Sequence, residues 1–231
     1  MTQDKTKAFE WWLKSANNGN RKAMDEIRSN YPKVKVTFDC ANADNGNTDG
    51  ILRVGLCYSI GEVPKDKTKA FEWYLKAANS GNTDAMNHVG DCYFNGQGVT
   101  QDFTKAFEWY LKSANNGNAD AMNNVGKCFY GGNGVTSYKK KAFEWCMKAA
   151  EKGCIDAMNN VGLCYFSGEG VTQDQKKAFE WFMKASQRNH PQAVYMVGYC
   201  YHHGIGALKD ERAAKCYFEK AKELGYDTVS S

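Results

Sequence analysis

TDAMNHVGDCYFNGQGVTQDFTKAFEWYLKSANNGN, residues Thr83 to Asn118, is one period of a chain that repeats itself. Ala85, Val89 and Cys92 fall at i, i+4 and i+7, with Met86 and Tyr93 beside them, which makes one apolar face of a helix. Asn82 or Asp84 can cap its start. Gly96-Gln97-Gly98-Val99 then supplies the left-handed geometry of a helix stop and a tight turn. Thr100 or Asp102 caps a second helix. There Ala106, Trp109, Tyr110 and Ser113 form a stripe that Phe107, Leu111 and Ala114 widen. So wide a stripe predicts cover on two sides, by the partner helix and by the next unit.

The same phrases recur along the chain. Lys-Ala-Phe-Glu-Trp begins at Lys69, Lys105, Lys141 and Lys177, each 36 residues after the last. A worn copy starts at Ala213 and an early one at Lys7. Val-Gly-x-Cys runs out of phase with it, at Val89, Val125, Val161 and Val197, with Val54 one residue out of register. A fixed period of this size predicts stacked units rather than a globular core. The expected fold is all-α: a right-handed α-solenoid of antiparallel helix pairs over residues 1–231. Within it, 2–17 is an orphan half-repeat, 20–44 a degenerate repeat and 48–225 five repeats. Pro32 and the poor helix formers Val34, Val36 and Thr37 predict irregular structure in the degenerate segment. Gly90, Gly126, Gly162 and Gly198 sit mid-helix, at a cost of about 1 kcal/mol each relative to Ala. Close approach of the partner helix offsets that cost, with Trp109 and its equivalents expected to pack against them.

Composition narrows the function classes. The chain is 42% hydrophobic and 24% charged, with a net charge of +4. That balance is ordinary for a folded domain and too mild to signal nucleic-acid binding. Lys139-Lys140-Lys141 is the longest basic run and reads as a solvated helix start. No stretch approaches the roughly 18 apolar residues of a membrane span, and the first residues have no apolar leader core. Nine cysteines are present. Cys57, Cys92, Cys128, Cys164 and Cys200 share one repeat position, and rungs roughly 10 Å apart are too distant for bridging. Free thiols in a reducing, cytoplasmic setting are the simplest account; a Cys146–Cys154 disulfide is the alternative at one helix end. Cysteines with zinc spacing are missing.

These residues resemble the Sel-1-like repeat family, relatives of tetratricopeptide repeats. Ala85, Val89, Gly90, Tyr93, Gly96, Gly98, Val99, Asp102, Lys105, Ala106, Trp109, Tyr110, Lys112 and Ala114 occupy the columns of the family pattern. The resemblance covers about 45–225 and the half-unit at 2–17. It departs at 20–44, and at the C-terminal end, where Ala207 and Cys216-Tyr217 stand in place of the usual residues. It implies adaptors and scaffolds that assemble other proteins, often as parts of longer chains. Met1-Thr2-Gln3-Asp4 matches Val99-Thr100-Gln101-Asp102, so the chain starts inside a unit. Exposed stacking faces at the ends would then invite self-association.

No catalytic constellation, cofactor site or metal site is found. Cys200-Tyr201-His202-His203 looks like a ligand cluster, but its cysteine belongs to the core column. Gly131-Gly132-Asn133-Gly134 is one copy of the inter-helix turn and lacks the Gly-Lys-Ser/Thr of a phosphate loop. The site argument rests instead on columns that change between repeats. These are Asn87, Asn123, Asn159 and Tyr195; His88, Asn124, Asn160 and Met196; and Asp91, Lys127, Leu163 and Tyr199. By resemblance to tetratricopeptide grooves, this helix lines a concave face. Asn amides there can both donate to and accept from a peptide backbone. The expected function is a non-enzymatic scaffold or adaptor that binds a protein or peptide, with no nucleic acid, membrane or cofactor. The alternative is a rigid spacer or regulatory segment of a larger multidomain protein, for example one carrying a kinase.

Overall fold

The computed structural model describes residues 48–60 and 65–226, so the segments 2–17 and 20–44, with Cys40, lie outside it. Ten helices are present among the described residues, each thirteen residues long. They fall into two compact units divided after Asn116. The first unit holds α1 (Thr48–Ile60), α2 (Lys67–Asn79), α3 (Thr83–Asn95) and α4 (Phe103–Asn115). The second holds α5 (Ala119–Gly131), α6 (Lys139–Glu151), α7 (Ile155–Ser167), α8 (Gln175–Gln187), α9 (Pro191–His203) and α10 (Glu211–Glu223). Odd-numbered helices pack on the even-numbered helix that follows, and within each unit that helix packs on the next pair.

Caps set the element boundaries. Asn82 Oδ1 accepts from the Ala85 amide at 2.8 Å, and Asp102 Oδ1 accepts from the Lys105 amide at 3.0 Å. Both satisfy a first-turn N–H that the helix itself leaves open. Gly96, at φ 65°, closes α3 by returning its N–H to the Cys92 carbonyl. The Asp102 amide donates back to the Tyr93 carbonyl, which ties the start of α4 to the end of α3. The same bond recurs at Tyr138, Asp174 and Asp210. Two caps are missing. Tyr138 stands in the Asp column and Cys154 in the Asn column, and neither side chain makes a capping bond.

The second glycine of the turn holds stacked pairs together. A Cβ on Gly98 would lie 2.1 Å from the Lys67 carbonyl oxygen. On Gly170 or Gly206 it would lie as close to the Lys139 or Gln175 carbonyl oxygen. Only glycine admits that approach, and all three also have positive φ.

The mid-helix glycines differ from the expectation. The side chain packed against them is the residue after the tryptophan. A Cβ on Gly90 would lie 2.5 Å from Cδ1 of Tyr110, and one on Gly162 would lie 2.6 Å from Cδ1 of Phe182. Tyr74 meets Gly55 and Phe218 meets Gly198 in the same way. Tyr110 and Phe182 are buried, whereas Trp109, Trp145 and Trp181 are half-buried. Lys112 Nζ stands 4.8 Å from the Trp109 ring centroid, and Lys148 and Lys184 repeat the contact on Trp145 and Trp181. One face of each indole therefore carries a lysine one helical turn on.

The cysteine column is buried at Cys57, Cys92, Cys128, Cys164 and Cys200, as expected. Burial pushes the thiols of Cys92, Cys128, Cys164 and Cys200 up to about 11. Cys146 and Cys154 are both free thiols, which removes the disulfide alternative.

Candidate functional site

The twelve column residues lie on the first helices of their pairs, but their surroundings differ sharply. In the first unit they are occupied internally. His88 stacks on Tyr74 with ring centroids 5.0 Å apart, and its Nδ1 lies 3.8 Å from an Asp91 carboxylate oxygen. Asp91 Oδ1 accepts from the Tyr110 hydroxyl at 2.8 Å. Asn87 is half-buried beside them. In α9, Tyr195 packs between the rings of Phe218 and Tyr226, and Tyr199 against Phe166 and His203. Met196 joins Leu163 against the core formed by Ala178, Phe182, Val197 and Cys200.

Asn123 and Asn159 are not open at all: each is 2% exposed. Asn123 Oδ1 accepts from Asn160 Nδ2 at 2.9 Å and faces the Cys146 thiol at 3.9 Å. Asn159 Nδ2 donates to Gln192 Oε1 at 2.9 Å, while its own Oδ1 is buried without a partner. The contrast follows from two substitutions between repeats: the position of Asn160, which donates to Asn123, is Met196 one repeat on, and the position of Cys146 is Phe182. Opposite Asn123 the partner helix offers the thiol of Cys146; opposite Asn159 the same register holds Phe182, which has no donor.

Three column residues of the second unit converge on an opening. Lys127, Asn160 and Leu163 border a cavity of about 390 Å³. Its buried part is formed by Gly126, Ala142, Cys146 and Cys164. Lys127 is exposed, with no carboxylate within ion-pair distance among the described residues. Tyr130 and Glu169 complete the wall: the Tyr130 hydroxyl donates to Glu169 Oε2, and Lys139 Nζ lies 3.8 Å from Glu169 Oε1. That hydrogen bond raises the Tyr130 pKa and holds the phenol neutral. Burial pushes the Cys146 thiol up to about 12, so it meets the cavity as an uncharged, weakly polar surface. Sequence reasoning missed this cavity, although its signal was present: Cys146 occupies the register of Tyr74, Tyr110, Phe182 and Phe218.

The histidines near the C-terminal end are engaged by neighbouring side chains. His202 Nδ1 is 2.8 Å from Glu211 Oε2, His203 packs on Tyr199, and Cys200 is fully buried. Among the described residues, no group of three or more His, Cys, Asp or Glu is placed to hold a metal ion. His190 has a structural role: Nδ1 accepts from the Ala193 amide at 3.2 Å and so caps α9. Among the described helices, none is long and apolar enough to cross a membrane.

Comparison with known proteins agrees with the geometry. A family model described as the Sel1 repeat matches residues 1–20, 48–82, 83–118, 119–154, 155–190 and 191–226. A Sel1 repeat protein from Oxalobacter formigenes is similar in structure, with a TM-score of 0.79 and 28% identity over 90% of this chain and 85% of that one. A protective antigen of uropathogenic Escherichia coli, described as displaying an SLR fold, gives a TM-score of 0.76 and 28% identity over 94% of this chain. The chain spans about half of that antigen, 49% of its length. An immunity protein from Pseudomonas aeruginosa shares the fold at 21% identity, with a TM-score of 0.57 over 77% of this chain and 66% of that one. Among curated proteins, none matches the chain.

Proposed function

The chain belongs to the Sel1 repeat family, and on that premise we propose that it is a non-enzymatic interaction module, an adaptor that holds a peptide or protein segment along its first helices. We take that face as the concave one. The observation that carries this reading is the contrast between columns. Positions that hold the pairs together recur in each repeat, as Val89, Val125, Val161 and Val197 do, all fully buried. Positions on the outer side change from Asp91 to Lys127 to Leu163 to Tyr199. Internal contacts account for Asp91, Leu163 and Tyr199, whereas Lys127, exposed and in no ion pair among the described residues, is left for a ligand.

The binding surface is narrower than the twelve columns. Asn123 and Asn159 serve as buried supports, and Lys127, Asn124, Asn160 and Leu163 form the contact patch in the second unit. Free buried thiols favour a reducing compartment, and we place the protein in the cytoplasm. The rival reading, a stiff spacer inside a longer protein, draws on Gly98, Gly170 and Gly206, whose backbones press on the preceding pair.

Selection of a displayed random-peptide library on the immobilised protein separates the two. An adaptor enriches a consensus that binds the parent and loses at least ten-fold in affinity against Asn124→Ala/Lys127→Ala/Leu163→Ala. A spacer enriches no consensus, or one that ignores the triple change.

A further inference from the structure

The cavity beside Cys146 has the position and shape of a missing ring. In the other described pairs an aromatic side chain fills the space over the mid-helix glycine: Tyr74 over Gly55, Tyr110 over Gly90, Phe182 over Gly162 and Phe218 over Gly198. In the pair of α5 and α6 the same register holds Cys146. A Cβ on Gly126 would meet its Sγ at 2.7 Å, about where the other pairs place the first ring edge. The sulfur thus replaces the near edge of a ring, and the rest of that ring has no counterpart. The 390 Å³ opening lies there, between Gly126, Cys146 and Leu163. A cavity of roughly 150 Å³ lined by apolar side chains already accepts benzene.

Lys127 says what the far end of an incoming ring meets. In the first unit the same column holds Asp91, and it takes the Tyr110 hydroxyl at 2.8 Å. The column therefore lies within reach of a phenol oxygen on a ring seated over the glycine. At 127 the acid is replaced by an ammonium group that borders the cavity and has no ion-pair partner among the described residues. An ammonium there can donate to a phenol oxygen, and its charge favours acid nearby. Asn160 adds a backbone reader at the same border. Its Nδ2 is used on Asn123, which leaves Oδ1 to accept from a peptide N–H.

The geometry points to a tyrosine pocket: the cavity takes the side chain of a tyrosine in an acidic peptide segment, its ring over Gly126 against Cys146, its phenolic oxygen toward Lys127. The bound segment supplies in trans the ring that Tyr110 and Phe182 supply in cis. This rests on the adaptor reading and gives it a partner chemistry.

The probe is acetyl-Gly-Glu-Tyr-Glu-Gly-amide, with its Tyr→Ala analogue and free 4-hydroxyphenylacetate, each titrated into the whole chain by NMR or calorimetry. The tyrosine peptide binds saturably and at least ten-fold tighter than the alanine peptide. Cys146→Phe installs the ring used at Phe182, keeps the thermal melt at or above the parent's, and weakens the tyrosine peptide at least ten-fold. Lys127→Ala, an exposed change that leaves folding intact, weakens it several-fold and flattens its salt dependence. Equal binding of the two peptides, no binding of the tyrosine peptide, or an affinity unchanged by both substitutions overturns the pocket. If library-selected peptides meanwhile still need Asn124, Lys127 and Leu163, the adaptor reading survives that failure. If 4-hydroxyphenylacetate binds while no peptide does, the cavity is a small-molecule site and both readings fall.

Discussion

Replacing Gly90 with alanine tests the interlock of glycine and ring on which each helix pair depends. The new Cβ would stand 2.5 Å from Cδ1 and Cε1 of Tyr110. Ordinary contact needs roughly 3.5–4.0 Å, so ring or helix must retreat by about 1 Å. Tyr110 is 3% exposed and its hydroxyl is anchored on Asp91, so the ring has no free direction to move. Overpacking of this kind costs about 1–3 kcal/mol. The gain in helix propensity returns up to about 1 kcal/mol, and the net expectation is a loss of about 1–2 kcal/mol. Tyr110→Ala, which removes the ring and leaves nothing over the glycine, loses about 3–5 kcal/mol through cavity formation. In that background the added methyl enters free space, so the double variant is more stable than the sum by at least about 1 kcal/mol. Urea denaturation followed by circular dichroism gives all four corners of the cycle. Additivity within about 0.5 kcal/mol, or a Gly90→Ala protein more stable than the parent, refutes the interlock.

Three other outcomes follow from named contacts. His190 caps α9 through Nδ1, and burial lowers its pKa below 6.5, against the pull of Asp156 and with a small push from Lys127. The unfolded chain then binds more protons than the folded one, so stability holds above pH 6.5 and falls as pH drops from there toward the folded value; His190→Asn caps without titrating and flattens a melting-temperature profile across pH 5–7. Tyr138→Asp restores the cap used at Asp102 and Asp174 and raises stability by about 1 kcal/mol in the same urea assay. In native alkylation read by mass spectrometry, exposed Cys216 labels within minutes, while Cys92, Cys128, Cys164 and Cys200, buried and raised to about 11, stay unlabelled until urea is added.

The period and the two helices in each unit were legible because apolar spacing and turn glycines are local signals. Of the proposed caps, Asn82 and Asp102 do the capping, since each precedes the first residue with helical backbone angles. Trp109 and Tyr110 share one stripe about 100° apart, and spacing alone does not say which faces the partner helix. The structure gives that place to Tyr110 because only its ring lies over Gly90. Asn123 and Asn159 looked open because they are polar. Asn123 is buried through a bond from Asn160, 37 residues away, which no local pattern reveals. The cavity was legible in principle. It needed the register of residue 146 compared across repeats, not an inspection of the cysteine by itself.

The central claim is that a ligand lies along the first helices of the second unit. Hydrogen–deuterium exchange with and without a library-selected peptide reads this directly. The account predicts added backbone protection around Asn124, Lys127, Asn160 and Leu163 in α5 and α7, with α8 and α10 unchanged. Protection confined to the second helices, or spread evenly over both helices of each pair, contradicts it.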